Sequence, residues 1–191
     1  MILASPANPT GTILSPDEIR RIVDVCRAHG ICIISDEIYH GLSFGERAHS
    51  ILEYDPNALV VNSFSKYFSM APWRLGWLVV PPAKVEAARA RMGNLFLPPA
   101  ALSQHAALAA FDCRDELEGH METYRRNRDL LLRTLPEMGL RHIAPPDGAF
   151  YIYADIRHLT DDSMAFCKRL LLDTGVTTAP GIDFDPVDGK Y

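Results

Sequence analysis

The stretch Ser63-Phe64-Ser65-Lys66-Tyr67-Phe68-Ser69-Met70-Ala71-Pro72-Trp73-Arg74 decides how this chain is read. It follows directly on Ala58-Leu59-Val60-Val61-Asn62, an apolar run with the texture of a buried strand. Lysine is scarce, confined to Lys66, Lys84, Lys168 and Lys190. A surface lysine ordinarily sits among other charges, whereas Lys66 stands just past a strand end, among small hydroxyls and ahead of Arg74. Desolvation and a neighbouring cation favour the neutral form of an amine, and a neutral amine is a nucleophile. The same residue also fits a lysine that lays its stem along the strand end and keeps its head in water. The stretch by itself leaves both readings open.

Working outward, the preceding apolar run Ile31-Cys32-Ile33-Ile34-Ser35 reads as a strand buried on both faces, and it delivers Asp36-Glu37-Ile38-Tyr39 at its carboxyl end. In open α/β sheets ligands bind beyond the carboxyl ends of the strands, so in a parallel sheet Asp36 and Lys66 face one crevice. Upstream, Ile2 to Ala4 reads as a short strand followed by the loop Pro6-Ala7-Asn8-Pro9-Thr10-Gly11. Ser15-Pro16-Asp17-Glu18 carries the pattern of a capping box with proline at the first helical position. Ile19, Ile22, Val23 and Cys26 then recur at helical spacing before His29-Gly30. Downstream, Leu75 to Val80 reads as a further strand, with helices over 83–92, 100–111 and 114–135. On the last of these, Leu117, Met121, Tyr124, Leu131 and Leu135 form an apolar stripe. Arg125, Arg126, Arg128 and Asp129 fall largely off it and read as a solvated face. After Gly139 the elements shorten: strands over 140–144 and 149–153 around Pro145-Pro146-Asp147-Gly148, a helix capped by Thr160 or Asp161 and running to about Asp173, and a strand over 176–178. The organisation expected is a partial α/β domain over 1–115, a long helix over 116–138 and an α+β unit over 139–191.

Composition bounds the function. At 48% hydrophobic and 23% charged, the chain of 191 residues can bury a core. A net charge of −5 argues against a nucleic acid or an anionic membrane as partner. No apolar run approaches the roughly 20 residues that a membrane helix needs. Cys26, Cys32, Cys113 and Cys167 show no C-x-x-C spacing and read as reduced thiols of a cytoplasmic protein. The histidines show no zinc-binding spacing, and neither a P-loop nor G-x-G-x-x-G occurs. The chain opens inside a strand and stops just past Asp188-Gly189, so it is expected to be a fragment.

Asn8-Pro9-Thr10-Gly11, Asp36-Glu37-Ile38-Tyr39, Ser63-Phe64-Ser65-Lys66 and Trp73-Arg74-Leu75-Gly76, in this order, resemble the class I/II aminotransferases, the fold-type I pyridoxal-phosphate (PLP) enzymes. The resemblance extends through Pro180-Gly181 to nearly the whole chain. It implies part of the large, mostly parallel-sheet PLP-binding domain, then a long helix and a small α+β C-terminal domain. It implies an activity that moves an amino group between an amino acid and a 2-oxo acid, usually in a homodimer. By the same resemblance Lys66 matches the lysine that forms the internal aldimine, and Asp36 the carboxylate that pairs with the pyridine nitrogen. Tyr39 and Asn8 match the groups that hydrogen-bond the phenolic oxygen, and Ser63 and Arg74 match phosphate ligands. The pattern departs at Ala71-Pro72, where Thr-Gly is commoner, and at Asp185, where many members carry glycine. The arginine that grips the substrate carboxylate and the upstream phosphate-binding turn are not in this sequence. Two other activities fit the same motifs: a PLP-dependent C–S β-lyase, and an effector-sensing domain of a transcription regulator.

Overall fold

The computed structural model describes residues 1–95 and 97–191. Its centre is a four-stranded sheet in the order β1 (Ile2–Ala4), β2 (Ile34–Asp36), β3 (Leu59–Ser63), β4 (Gly76–Val79). The first three strands are parallel, and β4 runs antiparallel to β3. The register aligns Ala4, Asp36 and Val61, so the carboxyl ends of β1, β2 and β3 open on the same edge of the sheet.

Helix α1 (Pro16–Ala28) makes the β1–β2 crossover and begins where the sequence predicts. Ser15 accepts from the Glu18 backbone N–H, and the Glu18 carboxylate accepts from the Ser15 backbone N–H at 2.8 Å, which closes the capping box. Its buried stripe Ile19, Val23 and Cys26 packs against Ile33, Ile51, Ala58 and Val60. That covers one face of the sheet. The opposite face carries Ile2, Ile34 and Val61, with Ile2 76% and Val61 39% exposed. The expectation of strands buried on both faces is therefore corrected: α1 covers one face only, and β2 is confined to Ile34–Asp36, with Ile31 and Cys32 exposed.

Between β3 and β4 the opening stretch folds into one compact loop instead of a crossover helix, and this is why β4 returns antiparallel. Phe64 N–H donates to Leu75 O at 3.1 Å, Met70 N–H to Phe64 O at 3.0 Å and Ser69 N–H to Lys66 O at 2.9 Å. Phe64 and Met70 are buried against Ala107 and Ala110 of α3 (Ala101–Ala110), which follows α2 (Val85–Leu95). At Gly76 any Cβ would lie 2.6 Å from Asn62 O, so the strand crossing requires glycine.

The long helix α4 (Arg114–Thr134) buries Leu117 and Met121. Met121 joins Tyr39, Leu42 and Ala149 in a core of its own. Its basic residues are not simply solvated. Arg128 Nε donates to Pro146 O at 2.7 Å and Arg125 Nη1 to Phe44 O at 2.9 Å, and both guanidiniums lie over the Phe44 ring. Beyond Gly139 the expected strands over 140–144, 149–153 and 176–178 do not form ladders. Among the described residues that region holds the isolated bridge Ile143–Ala154, a bridge from Gly148 to Ser43, and α5 (Ser163–Thr174), capped by Asp162. Pro145 and Pro146 lack N–H donors, so pairing stops at Ala144 N–H to Tyr153 O and Asp155 N–H to His142 O.

Candidate active site

The site is built from three loops that leave the carboxyl ends of β1, β2 and β3, closed by a segment from far down the chain. At the end of β2, Asp36 Oδ1 accepts from Ile38 N–H at 3.1 Å, a local turn that bends the chain over the sheet edge. Glu37 N–H extends the ladder by donating to Val61 O at 2.9 Å. The Glu37 carboxylate is buried. Its Oε1 accepts from Ser35 Oγ at 3.1 Å, Ser50 Oγ at 3.0 Å and Ile51 N–H at 2.9 Å. Its Oε2 lies 3.6 Å from His40 Nδ1, and His40 Nε2 donates to Ser5 O at 3.1 Å. Burial pushes His40 below the ordinary histidine range, against the opposing pull of Glu37. Glu37 and His40 thus tie the loops after β1 and β2 together behind Asp36. Arg74 does not pair with Glu37: its Nη1 donates to Ala71 O at 3.0 Å.

Tyr39 is buried, and its hydroxyl lies 2.5 Å from that of Tyr151. Burial raises the Tyr39 phenol well above the ordinary tyrosine value, with the charge of Asp36 adding to it. Lys66 Nζ sits 5.5 Å from the Tyr39 ring centre and 5.4 Å from that of Phe150, within the range of a cation–π contact. The fold therefore brings Lys66 beside Tyr39, with Asp36 close enough for its charge to act on Tyr39. Ser63 Oγ lies 2.8 Å from Ser65 Oγ and 3.1 Å from Leu75 O, and it accepts from Ser65 N–H at 2.9 Å. Arg74 is exposed and has a left-handed backbone, with φ of 53°. Asn8 lies exposed in the loop after β1, between cis bonds at Ser5-Pro6 and Asn8-Pro9. Among the described residues, neither Asn8 nor Arg74 makes a side-chain hydrogen bond to Tyr39 or Lys66; that of Arg74 goes to Ala71 O.

Phe150 and Tyr151 are absent from the sequence-based site. Pro145-Pro146-Asp147-Gly148 reads as an ordinary hairpin turn, and the aromatic pair after it as strand. In the structure, Gly148 N–H donates to Gly11 O at 2.8 Å, Ala149 N–H to Leu42 O at 2.9 Å and Phe44 N–H to Asp147 O at 2.9 Å. Gly11, with φ of +77°, would place any Cβ 2.8 Å from Gly148 O. Segment 147–151 is laced to two site loops this way, and Phe150 and Tyr151 are set against Tyr39 edge to face. The signal available in the sequence was the juxtaposition of two aromatics directly after a glycine turn. A cavity of about 290 Å³ opens elsewhere, between Leu14, Phe44, Arg47 and Arg128, and shares no lining residue with the Lys66 cluster.

The sheet, three strands parallel and the fourth antiparallel, sets a lysine and a carboxylate beyond neighbouring strand ends. The family model "Aminotransferase class I and II" matches residues 1–185, and the chain belongs to that family. It is 48% identical over 193 residues to the valine–pyruvate aminotransferase of Mycobacterium tuberculosis, covering 99% of this chain and 50% of the relative. It is 31% identical over 198 residues to the aspartate aminotransferase of Sulfolobus acidocaldarius, covering 100% of this chain and 49% of the relative. Among solved structures, an aminotransferase from Mycobacterium tuberculosis superposes with a TM-score of 0.95 at 48% identity, over 99% of this chain and 50% of that one. A Thermus thermophilus aspartate aminotransferase variant does so with a TM-score of 0.89 at 32% identity, over 96% of this chain and 51% of that one. The mixed α/β fold is thus that of the fold-type I aminotransferases, and the chain spans about half the length of the curated relatives it matches.

Proposed function

We propose that the protein is a PLP-dependent aminotransferase that moves an amino group between an amino acid and a 2-oxo acid. The observation that carries this is the Lys66 amine over the Tyr39 and Phe150 rings, with Asp36 bearing on Tyr39 from the neighbouring strand end. The names of the similar proteins support it, and the 48%-identical relative makes valine and pyruvate the first pair to test.

The residues present fit the cofactor. Ser63 and Ser65 bring two hydroxyls together within one tight loop, and Arg74 presents an exposed planar fork suited to a phosphate. Asp36 would hold the ring nitrogen, Tyr39 and Asn8 the phenolic oxygen, and Lys66 the aldehyde carbon. Bound PLP supplies an electron sink that stabilises negative charge at the substrate α-carbon. The chain's own contribution is electrostatic and positional. Asp36 places a carboxylate at the strand end. The Phe150 and Tyr39 rings flank the Lys66 amine. Lys66 Nζ, once free, takes and returns the α-proton as general base and acid. The same proposal includes the division of the chain at residues 115 and 138, a homodimer and a cytoplasmic location. The free state of all four cysteines supports that location, and no helix among the described residues is long and apolar enough to cross a membrane.

The test is reductive trapping. The protein, expressed from its complete reading frame, is loaded with PLP, reduced with borohydride and peptide-mapped, and valine-to-pyruvate transfer is measured in parallel. Label on Lys66 alone and formation of alanine are expected, both lost in Lys66→Ala. Label on Lys84, Lys168 or Lys190 instead, or no amino transfer with any common donor, overturns the proposal.

A further inference from the structure

The Tyr39 hydroxyl has a single proton and two neighbours that want it. One is Tyr151, whose hydroxyl lies 2.5 Å away. The other is the phenolic oxygen of a ligand held at Lys66, on the functional reading above, on which this inference rests. A phenol can donate once and still accept. We propose that Tyr151 is a positioning residue acting through Tyr39: its O–H donates to the Tyr39 oxygen and leaves the Tyr39 proton free for the ligand's phenolic oxygen.

The geometry fixes the pair in place, and either hydroxyl can donate across it. Tyr151 is not a loose side chain. Its backbone follows Gly148 and Ala149, which are bonded to Gly11 and Leu42, and Ala149 is fully buried with φ of +58°. Its ring packs at 5.6 Å from Tyr39 and 4.9 Å from Phe150, and Phe150 stacks on Tyr124 of α4. The groups that face Tyr39 are Asp36 from β2, Lys66 from the β3–β4 loop, and Tyr151 with Phe150 from segment 147–151. His40, next in the chain, is turned away to Glu37 and Ser5. Neither Asp36 nor Lys66 is hydrogen-bonded to the Tyr39 hydroxyl among the described residues, so Tyr151 is the neighbour that can set its orientation. Burial keeps the Tyr39 phenol protonated through the neutral range, so the donor persists. A hydroxyl that accepts a hydrogen bond is a stronger donor in turn, because bonds in a chain polarise one another.

The experiment is a spectrophotometric pH titration of the cofactor's visible band in the PLP-loaded protein, for the wild type, Tyr39→Phe, Tyr151→Phe and the double variant. Donors to the phenolic oxygen favour its ionised form, so removing one raises the midpoint. Tyr39→Phe is expected to raise it by about one pH unit, the worth of one hydrogen bond to a charged oxygen. Tyr151→Phe should raise it by roughly half a unit through lost polarisation, and the double variant no further than Tyr39→Phe alone. The band itself reports that each variant has folded and loaded. A Tyr151→Phe midpoint at the wild-type value, or a double variant whose shift is the sum of the two, overturns the relay and leaves the functional reading standing. A wild-type protein that takes up no PLP at Lys66 overturns the functional reading, and the relay falls with it.

Discussion

At the scale of the residue, the least expected assembly is the one behind Asp36 and Tyr39. Glu37 directly follows Asp36, yet it turns inward, accepts three hydrogen bonds on one oxygen and faces His40 with the other. A buried carboxylate survives when its lone pairs are met in this way. His40 carries a pH consequence. Its folded-state value lies below the ordinary histidine range because burial disfavours the charged form. The unfolded chain therefore binds more protons in that window, and stability rises with pH through it. This contribution is fully present above about pH 6.5 and is lost as pH falls through the lowered value. Thermal melts from pH 7.5 to 5 should show the loss in the wild type and a shallower slope in His40→Gln; equal slopes would contradict it. The positions of Asp36 and Lys66 beyond neighbouring strand ends were legible in the sequence, because apolar runs mark the strands that lead to them. Tyr151 was not, because its role comes from a contact across 112 positions of chain, which no local pattern encodes.

At the scale of the element, α1 and α4 teach opposite lessons. The start of α1 is written locally: Ser15, Pro16 and Glu18 lie within one turn, and the capping box forms as read. Ser15→Ala removes the side-chain acceptor and should lower the melting temperature by about 2–4 °C. Ser15→Asp should keep most of it, and an unchanged melt for Ser15→Ala would show that the cap carries no stability. The basic face of α4 is not written locally. Helical spacing shows that Arg125 and Arg128 share a side, but it does not show that the loops at Phe44 and Pro146 lie over that side. The short strands after Gly139 fail for a related reason. Alternation proposes a strand, but a ladder needs a partner, and Val176 to Thr178 have none among the described residues.

At the scale of the whole molecule, the sheet and the site are held by different parts of the chain. The four strands described end at Val79, while the second ring beside the lysine arrives with residues 147–151. Gly148 is the pinch point: a Cβ there would meet Leu42 O and Pro6 Cγ at 2.7 Å each. Gly148→Ala should cost about 1–3 kcal/mol by forcing those segments apart and should weaken cofactor retention as well. Gly119→Ala, in open space on α4, should instead raise the melting temperature slightly. Denaturant unfolding of the pair checks both signs, and equal effects would refute the pinch. The lacing of segment 147–151 onto the early loops also bears on the order of events during synthesis. Chains emerge amino end first, so β1 to β4 can pair while α4 is still being made. Tyr39 then waits with its hydroxyl uncommitted until Tyr151 has left the ribosome, and closing so long a loop draws on stability the sheet has already gained. Assembly of the lysine's surroundings is therefore a late step, and it certifies that the chain has been made at least that far.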